Sequence, residues 1–214
     1  RVPLALTRTG LIGVGASDSV LRVDASSGTL LKEILSAGVK IRTATVSEDG
    51  RRVAALDHAG NVIAIENDRA TVVATNAPPY FALTLNREGS RLWAAITRDR
   101  RVISLNWPSA LPDWSATLAA APTLLQLFPD NRTLIVGLDS GSIQYHEADN
   151  GYTTDQFETG TASPQFITFD GGPKRIFVGG LEGQIHCLDY ESKEEIHALP
   201  LGPNVRLKAL VCSP

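Results

Sequence analysis

The residue types able to do acid–base, nucleophilic or metal chemistry are few in this chain, and they are scattered. The histidines are His58, His146, His186 and His197, and the cysteines are Cys187 and Cys212. A zinc site gathers Cys and His at short, recognisable spacings, and none occurs here. His146 and His186 fall in equivalent alternating runs and read as satisfied strand histidines, while His58 falls in a turn. There is no Gly-x-Ser-x-Gly elbow, no phosphate-cradling glycine loop and no His-Glu-x-x-His. Asp18, Asp57, Asp139 and Glu182 hold similar positions and could ring one mouth of a symmetric molecule. Their surroundings of Ser, Gly and Asn assign them instead to tight turns, which a carboxylate caps through its own side chain. No catalytic residue, metal or cofactor is expected, and the chain reads as a non-enzyme.

What must position these residues is a repeat. Thr133 to Asp149 reads TLIVGLDSGSIQYHEAD: an apolar run, a turn of Asp, Ser and Gly, then a second alternating run ending in an acid. The same pattern begins at Leu11, Val53, Leu92 and Ile176. The turn before the first run falls at Gly10, Gly50, Gly89, Asn131 and Pro173, a period of about 40 residues. Several short strands at such a period predict an all-β fold, a β-propeller of about five four-stranded antiparallel blades. Stacked blades bury the faces that a single blade cannot, so the inner strands become apolar on both sides.

Labelled a to d from the axis outward, the second blade is expected to take a from Ile41 to Val46, b from Val53 to Leu56, c from Val62 to Glu66 and d from Ala70 to Thr75. The third has d around Trp114 to Leu118, preceded by Asn106-Trp107-Pro108-Ser109-Ala110-Leu111-Pro112. Two prolines bar a ladder there, so this stretch reads as a c–d loop. Trp107 and Trp114 flank it, either packing the loop onto the blade or offering an aromatic anchor to a partner. Pro79, Pro122, Pro164 and Pro203 each precede a strand a. Val205 to Cys212 reads as one inner strand beyond the fifth blade. Residues 1–214 are therefore expected to form a single propeller domain belonging to a larger one of six to eight blades.

Composition sets the remaining bounds. The chain is 43% hydrophobic and 20% charged, a globular balance, and its formal net charge of -3 argues against a nucleic-acid footprint. No apolar run approaches the length of a transmembrane helix. Two cysteines without a framework read as reduced thiols, hence an intracellular, cytoplasmic protein. Asn131-Arg132-Thr133 fits a glycosylation acceptor, but Asn131 is equally accounted for by its place in the repeat's turn.

Gly15-Ala16-Ser17-Asp18-Ser19-Val20-Leu21-Arg22-Val23-Asp24 resembles the strand b, turn, strand c core of a WD40 repeat. Asp18 matches that family's turn Asp, and Val23-Asp24 stands where its Trp-Asp would stand. Asp139 and Glu182 hold similar turn positions, and Leu188-Asp189 matches Val23-Asp24. The resemblance spans essentially the whole chain, without the Gly-His dipeptide or the Trp of Trp-Asp in any repeat. Propellers of the YVTN and quinoprotein type share the pattern. The WD40 resemblance implies a scaffold that binds other proteins within an assembly. An axial-site enzyme or small-ligand binder of the lactonase or quinoprotein class is the alternative, and lipid-headgroup binding through arginine-bearing turns is another.

Arginine is the residue suited to such contacts, because its fork pairs carboxylates and phosphates bidentately. Arg98, Arg100 and Arg101 crowd one b–c turn around Asp99. With Trp107 and Trp114 they are the candidate partner-binding residues. A solvated rim of mixed charge is the competing reading, given Glu48, Asp49, Glu88 and Asp130 among the arginines of the a–b turns.

Overall fold

A computed structural model describes residues 5–7, 10–14, 20–24, 26–35, 39–78, 80–170, 174–180, 183–192, 194–202, 207 and 210. The described residues contain strands and turns but no helix. Each alternating run of the repeat becomes a strand. The first sheet holds β1 (Ala5–Thr7), β2 (Gly10–Val14), β3 (Val20–Val23) and β4 (Leu30–Leu35). The second holds β5 (Ile41–Val46), β6 (Arg52–Asp57), β7 (Val62–Glu66) and β8 (Arg69–Ala74). The third holds β9 (Tyr80–Leu85), β10 (Arg91–Ile96), β11 (Arg101–Asn106) and β12 (Leu111–Thr117). The fourth holds β13 (Pro122–Leu127), β14 (Thr133–Leu138), β15 (Ser142–Glu147) and β16 (Thr153–Glu158). The fifth holds β17 (Phe166–Phe169), β18 (Arg175–Gly179), β19 (Gln184–Asp189) and β20 (Glu195–Pro200). In every sheet the strands lie in chain order, so each is a four-stranded meander.

The chain divides into two compact units, Arg1–Ile96 with Val102–Ala116, and Thr97–Arg101 with Thr117–Pro214. In the first unit β6 shows why the middle of strand b, Val53 to Leu56, is apolar on both faces. Val53 and Ala55 pack with Val20, Ile63 and Ile65 on one side. Ala54 and Leu56 pack with Leu83, Leu92 and Ile103 on the other. Full burial stabilises each such Val or Leu by about 1.5–3 kcal/mol. In the second unit Phe128, Ile135, Ile143 and Tyr145 join Ile176, Val178 and Leu188. Phe128 stacks on Tyr190 at 4.5 Å and meets Phe169 edge-on at 4.8 Å. The fourth strands are the wet ones: β8 and β16 expose most of their side chains.

Turn chemistry repeats with the strands. Gly50, Gly89 and Asn131 occupy one position of the a–b turn, all with positive φ (71°, 66° and 62°), a conformation open to Gly and tolerated by Asn. Asp24 and Asp189 cap the c–d turns. The Asp24 carboxylate accepts the Ser26 hydroxyl and the N–H groups of Ser26 and Ser27, which together hold its pKa down to about 2. Asp189 accepts the N–H groups of Glu191 and Ser192 at 2.9 and 2.8 Å.

Two expectations about proline are corrected. The third c–d loop is confined to 107–110, and Pro112 lies inside β12. β12 is the outermost strand of its sheet, where a missing N–H can face solvent without breaking a ladder. Pro122 likewise opens β13, paired with Leu138, rather than preceding it. Of Val205 to Cys212, only 207 and 210 lie within the described residues.

Candidate functional site

Among the described residues, the turns joining the second and third strands of a sheet are held by main-chain bonds to the linkers beside that sheet. In the second sheet His58 N–H donates to Lys40 C=O at 2.8 Å, and Ala77 N–H donates to Gly60 C=O at 2.9 Å. One turn is thus gripped by the linker before its sheet and by the linker after it. The fourth sheet repeats the arrangement, with Asp139 N–H to Ala121 C=O at 2.9 Å and Thr159 N–H to Gly141 C=O at 3.1 Å. The bond to the following linker recurs as Leu118 N–H to Arg100 C=O (2.7 Å) and Leu201 N–H to Gly183 C=O (2.8 Å). Loops held this way present their side chains from a fixed backbone.

Asp57 is 7% exposed, and its two carboxylate oxygens accept Asn61 N–H at 2.8 Å and Asn61 Nδ2–H at 2.7 Å. Asp139 works at longer range: its carboxylate accepts Ala121 N–H at 3.0 Å, closing a reciprocal pair with the linker. Asp18 and Glu182 lie outside the described residues.

Arg98 and Arg100 are exposed in the third b–c turn, and Arg101 opens β11 with its side chain exposed. Arg100 carries φ 51°, at the position that Gly60 (85°), Gly141 (96°) and Gly183 (71°) hold in the second, fourth and fifth sheets. A side chain in that region costs roughly 1–2 kcal/mol. The aromatic candidates diverge. Trp107 is 6% exposed and belongs to the core cluster, with its main-chain N–H donating to Ser90 C=O at 3.0 Å. It is a packing residue and not an exposed anchor, because the short 107–110 loop folds it inward. Trp114 sits half-buried in β12.

The arginines of the a–b turns in the first unit are engaged with neighbouring groups. Arg52 reaches Glu66 at 3.2 Å and donates to Glu88 C=O at 2.7 Å. Arg87 pairs with Glu48, and Arg91 with Asp113 at 3.1 Å. Arg22 joins Asp68 and Gly50 C=O, each at 2.8 Å. The Arg52–Glu66 and Arg91–Asp113 pairs lie within a sheet, while Arg52 to Glu88 C=O, Arg87 to Glu48 and Arg22 of β3 to Asp68 and Gly50 C=O tie one sheet to the next, which is the mixed-charge reading.

His146 is 1% exposed, donates from Nδ1 to Gly151 C=O at 3.1 Å, and has its pKa pushed below the ordinary histidine value by burial. His186 pairs with Glu195 at 2.6 Å. Burial raises the pKa of the Cys187 thiol, which makes it less reactive. Among the described residues no three His, Cys, Asp or Glu side chains gather as a metal site. No helix among them is long and apolar enough to cross a membrane.

Sequence reasoning passed over two exposed residues, Arg42 and Phe81. Each is the second residue of its inner strand, and each falls where the ladder skips: Ile41 pairs with Asp57 and Thr43 with Leu56, while Tyr80 pairs with Ile96 and Ala82 with Ala95. Thr123 occupies the same skip in β13 and donates to Pro164 C=O at 2.5 Å. The repeat period itself aligns these positions and was the available signal.

No family model matches this sequence, and no curated protein matches it. Solved structures do match in shape. A chain of the mitotic checkpoint complex has a TM-score of 0.77 at 14% identity, over 99% of this chain and 68% of that one. BamB from Moraxella catarrhalis has a TM-score of 0.70 at 14% identity, over 92% of this chain. The chain spans 63% of the length of that BamB chain. Five four-stranded meanders and these two likenesses make the fold a β-propeller.

Proposed function

We propose that this chain is a non-enzymatic, WD40-like scaffold that binds other proteins within an assembly, using its b–c turns as contact points. The observation that carries the reading is Arg100. It keeps a left-handed conformation that Gly60, Gly141 and Gly183 adopt at lower cost, in a turn that displays Arg98 and Arg101 beside it. Local strain retained at an exposed, charged turn supports a role for the side chain rather than for the fold. Three guanidinium groups favour an acidic partner surface and would steer its approach. The mitotic checkpoint neighbour, itself part of a complex, agrees with an assembly role. The free, buried Cys187 thiol agrees with a reducing cytoplasm as the compartment.

The test is affinity capture of the tagged full chain from its native cells, wild type beside Arg98→Glu/Arg100→Glu/Arg101→Glu. Specific partners should be retained by the wild type, lost by the triple variant, and released by moderate salt. Equal recovery by both proteins at every salt concentration would refute the arginine turn as the contact.

A further inference from the structure

The second sheet places a second set of cations at the same end of its strands as its b–c turn. Lys40, Arg42 and His58 are all exposed there. Residues 39–42, 57–61 and 75–82 contain a single carboxylate, Asp57, which is buried and committed to Asn61. Beside these cations stands Phe81, 41% exposed although it belongs to an inner strand.

Neighbouring strands bring these groups together. Leu85 N–H donates to Thr45 Oγ1 at 3.3 Å, and Glu48 N–H donates to Arg87 C=O at 3.3 Å. β5 and β9 therefore run side by side in the same direction, and their second residues, Arg42 and Phe81, fall near one level. Both are bulge residues. A bulge inserts one residue that the partner strand does not match, and it re-aims that side chain out of the ladder. The equivalent bulge in β13 spends its Thr123 hydroxyl on Pro164 C=O. The backbone beneath is fixed, since His58 N–H is bonded to Lys40 C=O and Ala77 N–H to Gly60 C=O.

We propose that Lys40, Arg42, His58 and Phe81 form a docking surface for an acidic, extended protein segment that carries one apolar side chain. Lys40 and Arg42 would pair its carboxylates, His58 would supply a hydrogen bond, and Phe81 would cover the apolar residue. Charge complementarity selects this partner, because the local cations have no exposed carboxylate among those stretches to answer them. An aromatic ring flanked by cations is a common core for a small interface. The inference rests on the scaffold reading but uses residues separate from the arginine turn.

The test uses a fluorescein-labelled peptide of Glu and Ser around one Leu, titrated against the full chain by anisotropy. Comparison peptides replace Glu with Gln or Leu with Ser. Saturable binding is expected, falling at least tenfold with either comparison peptide, with Lys40→Glu/Arg42→Glu and with Phe81→Ser. The affinity should also fall as salt is raised. All these positions are exposed, and unchanged circular dichroism and melting temperature would confirm that the variants fold. Absence of saturable binding, or equal binding by wild type and Lys40→Glu/Arg42→Glu, would overturn the proposal. The scaffold reading fails separately: it falls if affinity capture finds no partner sensitive to the arginine turn, whatever this peptide does.

Discussion

Arg100 is where the repeat departs from its own rule, and the departure is measurable. Replacing Arg100 by Gly removes the left-handed penalty but adds freedom to the unfolded chain. Arg100→Gly is expected to stabilise by about 0.5–1 kcal/mol, read from urea midpoints. His146 gives the opposite kind of test. Its folded pKa is depressed, so below the unfolded value of about 6.5 the unfolded chain takes up a proton that the folded chain refuses. The contribution is whole above that pH and is lost as pH falls through the lower folded value. Wild type should therefore lose more stability than His146→Gln between neutral and mildly acidic pH, measured by urea denaturation at each. At this scale the sequence was partly legible. Asp57 is placed in a tight turn by its neighbours, and its bonds to Asn61 lie within that turn. The reach of Asp139 to Ala121 is not legible, because it joins segments that only the fold brings together. The burial of Trp107 likewise depends on a loop shorter than its prolines suggested.

Among the elements, an aromatic cluster joins the fourth and fifth sheets of the second unit. Phe128 follows β13 and inserts between Tyr190 and Phe169, so it belongs to the fourth sheet while packing on the fifth. Phe128→Ala should cost about 3–5 kcal/mol, the usual range for a fully buried ring, seen as a large fall in the urea midpoint. Strand identity was readable wherever alternation met a strong turn residue, as in β14 and β15 on either side of Asp139-Ser140-Gly141. The starts of β12 and β13 were less legible: both strands are expected from the alternation, but Pro112 reads as loop and Pro122 as preceding its strand, whereas each lies inside one. Proline excludes only one hydrogen-bonding direction, and a sequence does not say which strand has a free side. The bulges at Arg42 and Phe81 escaped for a related reason: period-2 alternation predicts faces and passes over one extra residue.

At the scale of the whole molecule, burial falls from the second strand of a sheet to the fourth. β6, β10 and β14 are almost wholly buried, whereas β8, β16 and β20 are mostly exposed. Hydrogen exchange should follow that gradient. Amides of β6, β10 and β14 are expected to exchange about a hundredfold more slowly, or slower still, than those of β8, β16 and β20, by mass spectrometry of peptic fragments. Uniform protection across each sheet would contradict it. The propeller architecture itself was legible because a repeated error in reading one strand cannot repeat at a fixed period.

The bonds that grip the described b–c turns include backbone pairs, such as Ala77 to Gly60 and Thr159 to Gly141. The main-chain part of that grip does not depend on side-chain identity, and Asp139 adds its carboxylate to it. Exposed turn positions such as His58 and Arg98 can change and leave the frame beneath them standing, whereas a Cβ at Gly141 would meet Thr161 C=O at 2.7 Å. Likeness in shape at 14% identity is the outcome such a grip permits. In a molecule of this kind, the exposed turn residues are free to change while the frame beneath them holds.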